Sequence, residues 1–458
     1  MNIENKDNKI SYKTSIITAD ALYEMVFERV LNKTYFFKID KSGNTESFIE
    51  EVEIDGIKYR PLPPNYNLVE KKVILFPSLA TPYGSEEELI KEIHTFIHKY
   101  LDISETFEHI ATYYVVFTWL YDRFNEVPYL RTIGDFGTGK SRFLQSIGVL
   151  CYKPIFTGGA TTPSPIFRII DEIKGTLIID EADFKFSDMT SDIIKILNCG
   201  YQKGTPVLRS EGKGTFEVKA YDAFSPKIIA TRETFTDKAL ESRFLVEEMG
   251  IGTLRKDIPR TLDESFYQEA ENIRNKLLMW RLKNYFKPIE HRTDIIEGIH
   301  PRLNQIVIPL FSIIKDEKTR EKLKTFIIKY NGELVADRGL SRESDIAFAI
   351  FKFEYDTNKK EVTVGEIAKY VNDDIFDFED RLTPRKIGWY LRSRMQLKPY
   401  KTRKGFVLDL ELNRQKLNFW KERYGITDSD IKGEKVNDVK VVNDLDTEIT
   451  LTNEIKFS

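Results

Sequence analysis

Cysteine is scarce in this chain: its 458 residues include two, Cys151 and Cys199. Two cysteines so far apart do not provide the framework of a disulfide-stabilised secreted domain, and we expect a reducing compartment, the cytoplasm. No apolar run approaches the 18 or so residues that a membrane-spanning helix needs. The first residues, MNIENKDNKISYK, are polar and lack the apolar segment of a signal peptide. We therefore expect no membrane partner.

An excess of either charge is also missing, since 69 Lys and Arg face 72 Asp and Glu. The charges are nevertheless segregated along the chain. Residues 381–408 contain nine Lys and Arg and no Asp or Glu, whereas residues 428–458 contain eight acidic residues and four lysines. The first segment is typical of a surface that contacts phosphates, and the second of a solvated acidic tail.

Between residues 127 and 245, apolar strand patterns alternate with helical patterns. The candidate strands lie in PYLRTIG, KPIFTG, GTLIIDE and PKIIATR, and predicted helices separate them. Such alternation favours an α/β fold with a parallel sheet between helices.

A glycine-rich segment, GDFGTGKS, joins the first of these strands to a helix. In this pattern the glycines let backbone N–H groups surround a phosphate, the lysine reaches the β- and γ-phosphates, and the hydroxyl binds Mg²⁺. The helix that follows points its positive end at the anion. The predicted ATP-binding loop comprises Gly134, Asp135, Phe136, Gly137, Thr138, Gly139, Lys140 and Ser141.

Two acidic residues, Asp180 and Glu181, follow the apolar strand of GTLIIDEAD. A carboxylate at the end of a buried strand is suited to hold Mg²⁺, so Asp180 and Ser141 are the predicted metal ligands. Glu181 is the candidate general base for the attacking water. The alternative is that the pair caps the start of a helix.

Three further polar residues are candidates for catalysis. Thr231 ends the strand of PKIIATR and is placed to reach the γ-phosphate or the water. Arg243, in ALESRF, is suited to neutralise charge in the transition state, although a surface salt bridge is the alternative. Arg302, in IHPRLNQ, is a candidate γ-phosphate sensor or an ordinary charge near a helix start.

The segments GDFGTGKS, LIIDEAD, IIAT and ALESRF, in this order, resemble the core of AAA+ ATPases. The SRF tripeptide is similar to the arginine-finger segment of minichromosome-maintenance (MCM) helicases. ATTPSPIFRIIDE, followed by LNCGYQKGTPVLR, resembles a set of ATPases of mobile genetic elements, some of them MCM-like replication helicases. This resemblance implies a homo-oligomeric ring, a hexamer, in which Arg243 acts on the neighbouring subunit. MCM proteins have asparagine where this chain has Thr231, which leaves that residue's role open.

A hairpin is predicted in TPVLRSEGKGTFEVKAYD, with Lys213 at its turn. MCM-like motors carry a hairpin before this strand with a basic tip in the channel, which implies that Lys213 contacts single-stranded DNA. A lysine that is merely solvated is the alternative.

Residues 341–410 show the order of elements of a winged helix: two helices joined by a strand, a third helix from Pro384, and two strands around a Lys-Gly turn. Basic residues on the third helix and the wing are expected to contact duplex DNA. Docking to a protein is the alternative. The predicted DNA contacts are Arg385, Lys386, Arg392, Lys401, Arg403 and Lys404.

We therefore predict an N-terminal β-rich or α+β domain (1–80), an AAA+ core with preceding helices (81–255), a helical lid (256–335), a winged helix (336–424) and an acidic tail (425–458). The predicted function is an ATP-dependent DNA helicase or translocase for the replication of a plasmid, phage or other mobile element. One alternative is a replication initiator or helicase loader that uses ATP as a switch. Another is a protein-remodelling or defence-associated ATPase.

Overall fold

The computed structural model of the chain describes residues 10–180, 188–211, 217–235, 237–250, 254–289, 295–339, 341–373 and 381–432. The chain divides into two compact units, Met1–Ile328 and Lys329–Ser458. The boundary falls within a helix that runs from Glu317 to Gly339, and the boundary predicted between residues 335 and 336 lies in the same helix. In these described ranges, no helix combines the length and the hydrophobicity of a membrane span.

The N-terminal segment is rich in strands, as predicted. Its elements are β1 (Ile10–Lys13), β2 (Ser15–Ile17), β3 (Ala21–Glu28), β4 (Lys33–Asp40), β5 (Thr45–Ile49), β6 (Val52–Ile54), β7 (Ile57–Pro61) and α1 (Asn67–Glu70). They form an antiparallel sheet β2-β3-β4-β5 and a sheet β1-β7-β6. The segment belongs to the first unit, because Ile74 bridges to Ile155 and the Thr14 hydroxyl donates to the carbonyl of Ile173 at 3.0 Å.

Strands and helices alternate in the middle of the chain. They are α2 (Glu86–Tyr100), α3 (Glu105–Thr118), β8 (Tyr129–Ile133), α4 (Lys140–Gly148), β9 (Ile155–Thr157), α5 (Pro163–Ile173), β10 (Leu177–Ile179), α6 (Asp188–Cys199), β11 (Val207–Glu211), β12 (Glu217–Tyr221), β13 (Lys227–Thr231), α7 (Lys238–Glu241) and β14 (Phe244–Glu248). The predicted α/β class is confirmed. A capping box starts α2, since Ser85 accepts from the Glu88 amide and Glu88 accepts from that of Ser85.

Five of these strands form one parallel sheet in the order β14-β8-β13-β10-β9. Strands β10 and β13 are buried along their whole length, as expected for a parallel sheet covered on both faces. Because β13 lies between β8 and β10, its end at Thr231 comes between the segments that follow Ile133 and Ile179. The carboxyl ends of parallel strands share one edge, which is where α/β proteins bind their ligands.

Three helices follow the sheet: α8 (Glu264–Asn284), α9 (Pro301–Ile313) and α10 (Glu317–Gly339). In the first unit α8 packs on α2, and α9 packs on α3. Residues 256–335, predicted as a helical lid, are therefore mainly helical. Helix α8 is fixed to the rest of the first unit by its side chains. The guanidinium of Arg281 is buried and bonded to Glu24 of β3 and to Asp122.

The second unit contains α11 (Arg342–Thr357), β15 (Glu361–Thr363), α12 (Val364–Asp373), α13 (Pro384–Trp389), a π-helical turn (Tyr390–Arg394), β16 (Tyr400–Thr402), β17 (Gly405–Asp409), α14 (Arg414–Arg423) and α15 (Asp428–Lys432). Strand β17 pairs antiparallel with β15 and β16. The predicted order of elements is confirmed, and Thr383 caps α13 as expected. The acidic tail predicted from residue 425 begins later, because Ile431 of α15 packs into the core of this unit. Residues 433–458 lie outside the described residues.

Candidate nucleotide site and nucleic-acid interface

The loop between β8 and α4 has the backbone shape that its glycines allow. Gly137 and Gly139 have φ angles of 79° and 96°, in the left-handed region that side chains rarely occupy. Lys140 begins α4 and folds back over the loop, with its Nζ donating to the carbonyls of Gly134 and Asp135 at 2.6 Å. The lysine cation therefore lies inside the curve of the loop and beside the start of a helix.

Packing against the end of β14 holds the loop in place. A Cβ at Gly134 would lie 2.8 Å from the carbonyl oxygen of Met249 and 2.7 Å from the hydroxyl of Thr138, so only glycine fits there. The Met249 amide in turn donates to the carbonyl of Ile133 at 2.7 Å. The first loop position is thus determined by a strand more than a hundred residues away in the sequence.

Asp180 and Thr231 lie at the same sheet edge as the loop. Asp180 follows the last residue of β10, and its backbone amide donates to the carbonyl of Thr157 at 3.0 Å. Thr231 pairs with Ile133 and is 2% exposed. Its hydroxyl has no hydrogen-bond partner among the residues that the structure describes. A buried hydroxyl without a partner is unfavourable, so a ligand that supplies one would be stabilised there.

The remaining loop residues are open to solvent. Ser141 is exposed on the first turn of α4, and Phe136 at the tip of the loop is 87% exposed. The cation of Lys140 suits the phosphates of a nucleoside triphosphate. The hydroxyl of Ser141 and the carboxylate of Asp180 are oxygen ligands of the kind that Mg²⁺ prefers. Glu181, the candidate general base, lies outside the described residues.

Arg243 lies at the opposite edge of the sheet from the loop. Its carbonyl accepts from the amide of Tyr129, at the amino end of β8. The side chain is 5% exposed, donates to Asn198 and to the carbonyl of Ala239, and lies 4.3 Å from the ring centroid of Tyr201. In this chain Arg243 therefore does not reach its own phosphate-binding loop.

Arg302 lies beside Arg243 rather than beside the loop. Its guanidinium donates to the carbonyl of Ala239 at 3.1 Å, the atom that also accepts from Arg243. Burial lowers the pKa of Arg243, and the Arg302 cation lowers that pKa further. Within the described ranges neither arginine forms a salt bridge with a carboxylate. Two adjacent cations of this kind favour the approach of an anion.

One pair of residues that sequence reasoning missed positions these arginines. Arg131 in the middle of β8 and Glu241 at the end of α7 form a buried, two-bond ion pair. This pair fixes α7, which carries the shared carbonyl of Ala239. Arg131 was the only signal available in the sequence: a charge inside an otherwise apolar strand needs a buried partner.

The predicted hairpin is confirmed in its two arms, β11 and β12, which pair from Val207↔Tyr221 to Glu211↔Glu217. Arg168 of α5 holds both arms by contacts to Glu211 of β11 and to the Tyr221 hydroxyl of β12. The other face carries exposed Leu208 and Val218. Lys213, the predicted tip residue, lies outside the described residues.

The second unit presents the predicted basic residues together. All six are exposed, on α13, the π-helical turn and the β16–β17 hairpin. None of them forms a salt bridge within the part of the chain that is described. The six are Arg385, Lys386, Arg392, Lys401, Arg403 and Lys404. Their charge is therefore available to an anionic partner.

No protein-family model and no curated protein matches the chain. Among solved structures, it is similar to "SCCmec type IV Cch - active helicase", with 12% identity, a TM-score of 0.39, and coverage of 90% of this chain and 81% of the other. It is also similar to the apo A form of the NrS-1 C-terminal region, with 13% identity, a TM-score of 0.36, and coverage of 84% of this chain and 96% of the other. A JCV helicase bound to a small organic compound is similar at 16% identity and a TM-score of 0.25, over 54% of this chain and 66% of the other.

Proposed function

We propose that the chain is an ATP-dependent DNA helicase or translocase, an AAA+ motor of the MCM-like type that replicates a mobile element. The observation that carries the proposal is the meeting of three groups at one sheet edge. These are the glycine loop with Lys140, the carboxylate of Asp180, and the buried hydroxyl of Thr231 between them.

Each group has a role in cleaving the β–γ phosphate bond of ATP. Lys140 and the loop amides bind the phosphates and balance the charge that develops on them. Mg²⁺ held by Ser141 and Asp180 would supply further neutralisation of the phosphate charge. Glu181 accepts the proton of the attacking water, and the Thr231 hydroxyl orients that water or the terminal phosphate.

The two adjacent arginines support assembly into a ring. Arg243 and Arg302 lie at the sheet edge remote from their own loop, so they reach ATP only if it is bound by a second copy of the chain. Both would then act in trans, Arg243 as the finger and Arg302 as a second contact to the same phosphates. Hydrolysis should accordingly depend on oligomerisation, with a hexamer as the proposed state.

Mixing two inactive variants tests this arrangement. Arg243→Ala retains the loop and Glu181→Gln retains the arginines, so a mixture contains some complete interfaces. We expect each variant alone to hydrolyse ATP about 10³-fold more slowly than the wild type, and the mixture to recover part of the rate. Arg302→Ala, whose side chain is less buried, is the matched second variant. Absence of recovery, with both proteins folded by circular dichroism, would contradict action across an interface.

The proposed motor moves along DNA. The hairpin that ends in Lys213 is proposed to grip single-stranded DNA in the channel. The second unit is proposed to be a winged helix that binds duplex DNA through α13 and the β16–β17 hairpin. The exposed cations of the second unit, which form no salt bridge among the described residues, support its part of the proposal, since phosphate contacts supply affinity independently of sequence.

The deciding experiment measures the ATPase rate with and without single-stranded DNA, together with strand displacement on a forked duplex. A motor should be stimulated several-fold by DNA and should separate the strands continuously. ATP-dependent DNA binding with slow turnover and no displacement would favour an initiator or loader. An ATPase rate that ignores DNA but rises with a protein partner would replace the proposal with a remodelling ATPase.

A further inference from the structure

Two large aromatic rings of the second unit point into solvent within its basic surface. Trp389 of α13 is 50% exposed and Phe406 of β17 is 46% exposed. Burying such rings stabilises a small domain by roughly 25 cal/mol for each Å². Neighbouring aromatic side chains in this unit are tied to other groups, because Tyr400 donates to Glu361 and Trp420 donates to the carbonyl of Met395. Tyr355 and Phe419 are equally exposed in this unit, so what distinguishes Trp389 and Phe406 is their place among the exposed cations of α13 and the β16–β17 hairpin.

The side chain of Arg392 packs over one of these rings, that of Phe406. The guanidinium of Arg392 lies 5.6 Å from the ring centroid of Phe406. The same guanidinium lies over Gly388, where a Cβ would be in ordinary van der Waals contact with it at 3.5 Å. The contact joins the helical turn to the hairpin, and Lys401 stands opposite Phe406 in the strand pair.

Helix α13 also places a cation beside an aromatic ring. Arg385 and Trp389 are four residues apart in α13 and therefore share one face. Together with Arg392, Lys401 and Phe406 they form what we call the stacking surface. Within the described ranges its three cations form no salt bridge, whereas the nearby Arg394 pairs with Glu343.

Along a duplex, rings in these positions meet no uncovered base face, because such faces are exposed only at its two ends. A duplex presents phosphates and the edges of bases, while the faces of its bases are covered by stacking. An unpaired base exposes its face, and stacking on an aromatic side chain contributes about 1–3 kcal/mol per base. Arginine planes add to such stacking, and lysines alongside contact the phosphates.

We propose that the stacking surface binds unpaired bases, so that the second unit recognises DNA in which a single strand adjoins a duplex. This inference rests on the proposed action on DNA and specifies which DNA is bound. Rings stack on the unpaired bases, and Arg385 and Lys401 contact the phosphates of the same strand.

Fluorescence anisotropy of the full chain without nucleotide tests the proposal. The probes are a labelled blunt duplex, the same duplex with an unpaired tail, and the single strand, each measured over a range of salt concentrations. We expect Phe406→Leu and Trp389→Leu to weaken binding of the tailed and single-stranded probes about 5- to 150-fold, from the stacking energy above. Binding of the blunt duplex should not change.

The salt dependence of DNA affinity distinguishes the contribution of the rings from that of the cations. The leucine variants should leave the slope of log affinity against log salt unchanged, because they remove no charge. Lys401→Gln, the matched control, should lower that slope by about one. A second readout is the fluorescence of Trp389, taken as the difference between the wild type and Trp389→Phe. It should fall on binding the single strand and not on binding the blunt duplex.

Unchanged affinity of the leucine variants for the tailed probe would overturn the inference, and so would an equal loss for tailed and blunt probes. Either result leaves the proposed motor intact. If the full chain binds none of the three probes, the action on DNA itself fails, and a protein partner for the second unit takes its place.

Discussion

Replacing Lys140 by alanine is expected to abolish ATP hydrolysis. The Lys140 Nζ lies within the curve of the loop, where a phosphate would meet both the cation and the amino end of α4. Alanine removes a charge that stabilises both bound triphosphate and the transition state. Removal of a single such donor slows catalysis about 10²–10³-fold, and weaker ATP binding adds to the loss. The measurement is phosphate release at saturating ATP, together with binding of a fluorescent ATP analogue.

The fold should survive this substitution. In the described structure the Lys140 Nζ bonds only to two loop carbonyls, both of which water can reach once the side chain is shortened. We therefore expect a melting temperature within a few degrees of the wild type. Lys195→Ala on α6 is the matched control, since Lys195 is a largely exposed helix lysine paired with Asp192, and its loss should leave hydrolysis unchanged. Hydrolysis by Lys140→Ala at the wild-type rate would remove the loop from the active site.

Local patterns in the sequence predicted the parts of the site that are continuous in the chain. The glycines of the loop, the helix after it, the apolar run before Asp180 and the turn between the hairpin arms are all patterns of neighbouring residues. The same is true of the caps at Ser85 and Thr383, because a cap is made by a side chain and an amide three residues on. Such features are determined by spacing, which can be read directly.

The rest depends on contacts between distant residues. Strand pairing places β13 between β8 and β10, and it also brings Met249, after β14, against Gly134. No short sequence pattern specifies this pairing. The place of Arg302 beside Arg243 depends on how α9 packs, so the sequence could identify the arginine but not its neighbour. The extent of each unit depends in the same way on contacts between distant residues, such as the bridge of Ile74 to Ile155 and the packing of Ile431 in the core of the second unit.

A second large effect is expected on stability, from the buried carboxylate of Glu24. This residue of β3 is 1% exposed and bonds to Arg281 of α8 at 2.8 Å, to Lys153 at 3.2 Å and to the hydroxyl of Tyr152 at 2.8 Å. It thus joins the N-terminal sheet, the sheet of the core and the helices that follow. Removing one partner of a buried ion pair leaves the other charges uncompensated and costs about 3–5 kcal/mol.

Glu24→Gln is therefore expected to lower the melting temperature of the first unit by about 5–10 °C. Glu269→Ala is the matched control on α8. Its pair with Lys99 is well exposed on both sides, so the expected loss is below about 1 kcal/mol. Thermal unfolding followed by circular dichroism measures both. A Glu24→Gln protein as stable as the control would show that Asp122 alone compensates Arg281.

The pH dependence of this loss has a definite sign. Burial lowers the pKa of Lys153 to about 8, while Glu24 acts to raise it. A lysine with a pKa below its unfolded value binds fewer protons when folded, so stability increases as pH rises from about 8 towards the unfolded pKa of about 10.4. Without Glu24 the pKa of Lys153 falls further, and this window extends to lower pH. The difference between Glu24→Gln and the wild type should therefore be larger at pH 7 than at pH 9, where Lys153 is mostly neutral in both folded proteins. A difference that grows with pH would mean that Lys153 is not the group left uncompensated.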